Sequence, residues 1–366
     1  MDNLSLHRLA FSAITGLSPD NAATLLDLAG GEERFFEMPQ RDLAMLAGND
    51  NRIFSRQYRD KLLETARQEV DKIANRRIKF VYFTDEDYPR RLLDTDNAPL
   101  RLFVAGEPDL DANRAIAVVG TRHSTPYGMS VTNRIIADLA TVHPDMLIIS
   151  GLAYGTDISA HRAAIKNGLP TVGVLAHGLS TIYPAAHRDD VADMIAGGGG
   201  VITEYGFDSP IHRGNFLARN RIVAGLCDCL LLVESAEKGG AIVTSNLAVD
   251  YGRRLMAVPG RSTDLYSEGC NRLISLGMAQ LITSADQLLD AMEWNIAREG
   301  TQKELFISFT PDEQKIVDLL KTKGVKSSTA IASTLSLSPG KLTSLLMTLE
   351  FKGAIANLPG AKVMLT

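Results

Sequence analysis

IAVVGTRHSTPYG, residues 116–128, decides how the rest of the chain is read. Four apolar residues run straight into Gly120-Thr121-Arg122, and Tyr127-Gly128 then leads into the helical pattern YGMSVTNRIIADLA. Five more runs share this character: LIISG (147–151), TVGVLA (171–176), GVITE (200–204), LLLVE (230–234) and MAVPG (256–260). Short, nearly all-apolar runs suit strands buried on both faces, and helical patterns between them imply a parallel sheet. Such a sheet gathers the turns at its strand C-termini along one edge, the usual ligand crevice. Arg122, Arg213, Arg219, Arg221 and Lys238 are far apart in the chain but are therefore expected to converge.

At 366 residues the chain suggests two or three domains, with an ordinary 45% hydrophobic and 22% charged residues. No apolar run approaches the roughly 18 residues needed to cross a bilayer, and no secretory signal is visible, so no membrane partner is expected. Three cysteines, two of them in Cys227-Asp228-Cys229, make neither a disulfide framework nor a zinc set. Buried reduced thiols and a cytoplasmic location fit that usage. The formal net charge of −5 argues against nucleic-acid binding over the whole surface. A focused site remains open, because His212 to Arg221 holds three arginines and no acid.

The first 78 residues carry apolar residues at helical spacing. Gly16 breaks the first two helices, with Ser18 or Asp20 as cap and Pro19 just inside the helix start. That break suits a plain helical bundle and also looks like a helix-hairpin-helix DNA module. Residues 79–106 read as an extended preamble to the sheet domain, which runs to about 295, and 296–305 reads as a linker. Residues 306–366 change rhythm: three helical patterns precede a hairpin-like end, as in a winged helix-turn-helix. Ser327 or Ser328 caps the second of these helices and Ser338-Pro339 opens the third. Its exposed positions offer Lys341, Thr343, Ser344, Thr348 and Lys352, without an arginine or asparagine for bidentate base contacts.

Glycine at 120 lets the backbone approach a phosphate, Arg122 supplies a forked cation, and the amides of the following helix would face the same spot. In Ser150 to Asp157, Gly151 and Gly155 surround a small-residue turn, and Asp157 reads as the cap of the next helix. His161 is better explained as packed or hydrogen-bonded than as a ligand. The strongest cluster is His212-Arg213-Gly214-Asn215-Phe216-Leu217-Ala218-Arg219-Asn220-Arg221, where three cations surround one aromatic. A single-strand groove needs cations for the backbone and a flat face for a base, which Phe216 could supply; anchoring its helix in the core is the alternative. Lys238-Gly239-Gly240 opens a helix after a strand and suits an anion. Arg253 serves either the preceding helix dipole or a ligand. No nucleophile–base set, Walker loop or GxGxxG is present, so no catalytic residue, metal or cofactor is expected.

With these motifs in order, the chain resembles the DNA processing protein A family. Gly120-Thr121-Arg122 matches its G-[ST]-R turn, and Ser150 to Asp157 with Ala160-His161 matches its S-G-L-A-x-G-[IT]-D stretch. Gly178-Leu179 with Tyr183-Pro184, Phe216 to Ile222, and Gly269-Cys270-Asn271 with Leu273-Ile274 match three further motifs. Leu217 replaces the commoner proline, and Ala176, Ser180 and His187 also depart from the pattern. The resemblance implies a single-stranded DNA site at Gly120, Arg122, Gly151, Gly155, Arg213, Phe216, Arg219, Asn220, Arg221, Lys238 and Gly240. It also implies a homodimer through the sheet domain, RecA recombinase as partner, and a role in natural transformation and recombination. The expected fold class is α/β: a Rossmann-like parallel-sheet domain flanked by an N-terminal helical domain (SAM- or helix-hairpin-helix-like) and a C-terminal winged-helix domain.

The alternative is a Rossmann-like nucleotide phosphoribohydrolase, whose P-G-G-x-G-T-x-x-E loop carries a glutamate for acid–base work. The equivalent stretch here, Lys238 to Asn246, ends in an amide that cannot shuttle a proton. A transcription regulator acting through the winged helix is a third reading, weakened by that helix's lack of arginine.

Overall fold

The structure, a computed structural model, describes residues 5–295, 309–323, 326–352, 354–358 and 362–365. Described residues up to Trp294 form one compact unit and those from Asn295 onward a second. The linker expected at 296–305 and the start of the segment after it lie outside the described residues.

Five helices open the first unit: α1 (Leu6–Phe11), α2 (Pro19–Ala29), α3 (Glu32–Glu37), α4 (Gln40–Ala47) and α5 (Arg56–Ala74). Ser18 caps α2 by accepting from the Asn21 amide, with Pro19 at the first helical position. Strand β1 (Ile78–Tyr82), α6 (Arg90–Leu93) and β2 (Arg101–Gly106) follow. Then β3 (Ala115–Val119), α7 (Pro126–Val142), β4 (Leu147–Ser150), α8 (Thr156–Lys166), β5 (Thr171–Val174), α9 (Arg188–Ala196) and β6 (Gly200–Thr203) alternate. The same rhythm continues through α10 (Arg213–Gly225), β7 (Cys229–Leu232), α11 (Gly240–Asp250), β8 (Arg254–Ala257), α12 (Glu268–Ser275), β9 (Gln280–Leu281) and α13 (Ala285–Met292).

The six apolar runs of the sequence are β3 to β8, and they lie parallel within one nine-stranded sheet of order β1-β2-β6-β5-β4-β3-β7-β8-β9. The preamble is part of that sheet: β2 pairs antiparallel with β6, and β1 with β2. Strand alternation sorts the core. Ala115, Ala117 and Val119 belong to the core cluster that also holds the N-terminal helices, α10 and α11, while Ile116 and Val118 belong to the one that holds α7, α8 and α13. From β3 the chain winds one way to β6, and from β7 the other way to β9. The switch point between β3 and β7 is where such sheets leave a crevice.

His161 on α8 is fully buried, with Nδ1 2.7 Å from the Thr171 hydroxyl and Nε2 without a partner among the described residues. Burial pushes its pKa down to about 3 from 6.5, so the native imidazole stays neutral. The unfolded chain takes up that proton first. Stability is therefore complete above pH 6.5 and is lost as pH falls from there towards 3, by about 1.4 kcal/mol per unit. Urea midpoints between pH 7 and 5 should fall less steeply for His161→Gln than for the parent chain; equal slopes would discount the buried imidazole.

The second unit contains α14 (Pro311–Lys323), β10 (Lys326–Ser327), α15 (Ser328–Leu335), α16 (Pro339–Phe351), β11 (Ile355–Leu358) and β12 (Lys362–Leu365), with a small sheet of order β10-β12-β11. Ser327 caps α15 and Ser338 caps α16. The lysines that the sequence offers outward from α16 are engaged. Lys341 pairs with Asp312 at 2.5 Å, and Lys352 with the buried Glu313 at 2.7 Å.

Candidate functional site

A cavity of about 380 Å3 opens at the switch point. The turn after β3 forms its centre, the β4 turn and α10 one side, and the β7 turn with the start of α11 the other. The central turn is pinned from within. The Thr121 amide donates to the Glu234 carbonyl at 2.7 Å, the Thr156 amide to the Thr121 carbonyl at 3.1 Å, and the Ser124 and Thr156 hydroxyls meet at 2.7 Å. Gly155 holds φ at +77°, and a Cβ there would lie 2.3 Å from the Thr121 carbonyl oxygen. Only glycine permits that contact between the two turns. Gly155, rather than Asp157, is thus the N-cap of α8. Asp157 accepts from the Ala153 amide at 3.2 Å instead, and burial raises its pKa against the opposing pull of Arg219.

Eight of the eleven sequence-selected residues line the cavity: Gly120, Arg122, Gly151, Phe216, Arg219, Asn220, Lys238 and Gly240. The guanidinium carbon of Arg122 sits 5.6 Å from the Phe216 ring centroid, a cation–π contact. Tyr183 meets the same ring edge-on at 5.9 Å and 63°. Phe216 is half-buried and lies outside the apolar clusters, so its ring serves the cavity wall and not the core. Arg122 and Lys238 are exposed, and no carboxylate among the described residues pairs with either. Helix α11 starts behind Lys238, and its N-cap, Gly239, supplies no side-chain bond to the first-turn amides. Two free cations, an uncapped helix end and an aromatic face make a site for a phosphate next to a flat ring.

Arg219 lies deeper. It is 4% exposed, and its Nη1 donates to the Gly151 and Val174 carbonyls, tying α10 to the ends of β4 and β5. Burial lowers its pKa, with Asp157 opposing. A Cβ on Gly151 would fall 2.5 Å from Arg219 and 2.7 Å from Asp157, so glycine is required where these side chains pass. Asn220 accepts from Arg219 Nε at 3.3 Å and reaches the Gly240 carbonyl at 3.5 Å, linking α10 to α11.

The expected convergence of five cations is corrected in two places. Arg221 is on the far side of α10, because two residues advance a helix by about 200°. There it grips Glu204 through both guanidinium nitrogens at 2.6 and 2.7 Å and faces a separate cavity. Arg213, the first residue of α10, is exposed and does not line the cavity. Arg253 is a brace, donating to the Arg91 and Gly225 carbonyls.

The α7 amides are not open to a phosphate as the sequence pattern expects. The buried Glu234 carboxylate already occupies that helix end, accepting from the Thr125 amide at 2.9 Å and hydroxyl at 2.5 Å. A Cβ on Gly128 would meet it at 2.2 Å. The only signal for this was a glutamate closing an otherwise apolar strand. Two further wall residues, His123 and Tyr266, were also passed over; their rings stack at 6.2 Å with 25° between planes. Asn246 is exposed on α11 and is not a wall residue. Among the described residues no three His, Cys, Asp or Glu side chains group as metal ligands, and no helix is long and apolar enough to cross a membrane.

The sequence profile of DNA recombination-mediator protein A matches residues 79–293, which includes every wall of the cavity. DNA processing protein DprA of Streptococcus pneumoniae is 37% identical over 218 residues, 59% of this chain and 76% of that one. Protein Smf of Escherichia coli is 34% identical over 286 residues, 76% of this chain and 75% of that protein. Among solved structures, that of DNA processing protein A from Streptococcus pneumoniae superposes with a TM-score of 0.64 at 29% identity, covering 79% of this chain and 98% of its own. The one from Helicobacter pylori, described for its single-stranded DNA binding mode, gives 0.53 at 29% identity over 59% of this chain and 96% of its own. The chain belongs to the DNA recombination-mediator protein A family.

Proposed function

We propose that the protein binds single-stranded DNA in the switch-point cavity, protects it, and passes it to RecA recombinase during DNA uptake and homologous recombination. One observation carries the reading: the exposed Arg122 guanidinium rests on the Phe216 ring, at a cavity mouth shared with Lys238 and the uncapped end of α11. A phosphate takes the cations and amides, while the neighbouring base takes the ring. Gly240 leaves open space at the start of α11 for that approach, Gly120, Gly151 and Gly155 let the turns behind it pack closely, and Asn220 and Arg219 hold the wall. Arg213 contacts the strand at the entrance to α10. Names of the relatives and the single-strand binding of the Helicobacter pylori protein support the same reading. Under it the protein acts in the cytoplasm without a cofactor, as a homodimer through its Rossmann-like domain. The C-terminal unit is a winged helix whose paired lysines favour a protein contact over base reading.

The test is fluorescence anisotropy with a labelled thymidine oligonucleotide at several salt concentrations. Affinity should fall with salt, with about −0.7 in log–log slope per phosphate engaged. Phe216→Ala should weaken binding by about 1–3 kcal/mol and leave the slope unchanged, since a lost stack carries no counterion. Preference for duplex over single strand, or a Phe216→Ala affinity equal to the parent, would overturn the assignment.

A further inference from the structure

The cavity has a second aromatic face that the reading above does not use. His123 follows Arg122 directly, and its ring stacks on Tyr266, 6.2 Å between centroids and 25° between planes. Both rings line the same cavity as Phe216. Phe216 reaches Arg122 from α10, whereas Tyr266 reaches His123 from the segment between β8 and α12. Two flat surfaces from different elements therefore meet the β3 turn at consecutive residues.

Neither ring belongs to the apolar core: His123 is exposed, Tyr266 half-buried, and both lie outside the core clusters. Yet the backbone that carries each is held in place. The His123 amide donates to the Thr121 hydroxyl at 3.1 Å. The Tyr266 carbonyl accepts from the Ser235 amide at 2.6 Å, and the Gly269 amide donates to the Ser235 carbonyl at 2.9 Å. A Cβ on Gly269 would lie 2.7 Å from the Ala236 carbonyl oxygen, so this segment packs backbone to backbone against the β7 turn. Rings fixed in a cavity wall without filling the core have an open face for a ligand ring at little cost in side-chain ordering.

We propose that His123 and Tyr266 form a second base-stacking platform, so that the cavity seats two successive nucleobases, one on Phe216 and one on His123, with Arg122 on the phosphate between them. The inference rests on the single-stranded DNA reading and adds the second ligand ring and its residues. Stacking is tolerant of base identity, so the platform contributes affinity and register and not sequence preference.

Thymidine oligonucleotides carrying one 2-aminopurine at successive positions, whose fluorescence drops on stacking, test it. The parent protein should quench the probe at two adjacent positions. Phe216→Ala should remove one of these responses, and His123→Ala and Tyr266→Ala should each remove the other. Tyr266→Ala should also bind about ten-fold more weakly with an unchanged salt slope, while Tyr266→Phe stays near the parent and Tyr266→Leu behaves like alanine. A response to Phe216→Ala together with none to Tyr266→Ala overturns the second platform alone. Loss of both responses in Tyr266→Ala with a lowered melting temperature, restored equally by leucine and phenylalanine, overturns it in favour of a loop-holding role. Failure of every oligonucleotide to bind the parent overturns both readings.

Discussion

Arg122→Ala should bind single-stranded DNA roughly ten- to hundred-fold more weakly, and its salt dependence should flatten by about 0.7 in log–log slope. Charge-assisted bonds to a phosphate contribute about 1.5–3 kcal/mol, and Arg122 has no carboxylate partner among the described residues to blunt its field. Lysine at this position separates charge from shape. Arg122→Lys keeps the cation, so the slope should stay near the parent value, while the fork and the contact with Phe216 are lost and affinity drops. Lys238→Ala should reduce the slope by the same amount with a smaller loss of affinity, because a point charge makes no bidentate contact. The double variant should lose about 1.4 in slope if the two cations hold different phosphates. Anisotropy titrations at three or more salt concentrations read all of this, and an Arg122→Ala slope equal to the parent's would remove Arg122 from the interface.

Arg219→Ala should cost about 3 kcal/mol of folding stability, measured as a lowered urea midpoint, with little change in the salt slope of whatever binding survives. The guanidinium is buried against the Gly151 and Val174 carbonyls, and its loss leaves both oxygens without that partner at about 1–3 kcal/mol each. Release of a desolvated cation offsets part of that cost. Arg219→Met fills the space and should be less destabilising, which separates the cavity left by alanine from the orphaned carbonyls. A stable Arg219→Ala chain with a flattened slope would instead make Arg219 a phosphate contact.

Much of the architecture was legible because fully buried parallel strands leave a continuous apolar signature that few other structures share. The runs at 116–120 and 230–234 predict β3 and β7, and their glycine- and charge-bearing turns predict the cavity between them. That the extended β1 and β2 join the same sheet antiparallel was hidden, because the connection between them carries only the short α6 and no crossover helix to declare its direction. At the site, residue type identified Arg122, Phe216 and Lys238, since nothing in the core needs a cation at a strand end. It did not separate them from Arg219 and Arg221, which have the same chemistry but are consumed by the protein's own carbonyls and by Glu204. Helical phase alone would have set Arg221 on the opposite face from Arg219. Glu234 and Tyr266 were missed because each acts on a segment remote in sequence.

Glu234 bears on how such a cavity survives empty. Unpaired cations beside two converging positive helix ends would repel one another whenever no polyanion is present. By lodging its own carboxylate in the end of α7, the chain fills that pole from within and leaves the α11 end open. The resting protein is thereby spared part of that repulsion, while an incoming strand still finds a pole to which it can bind.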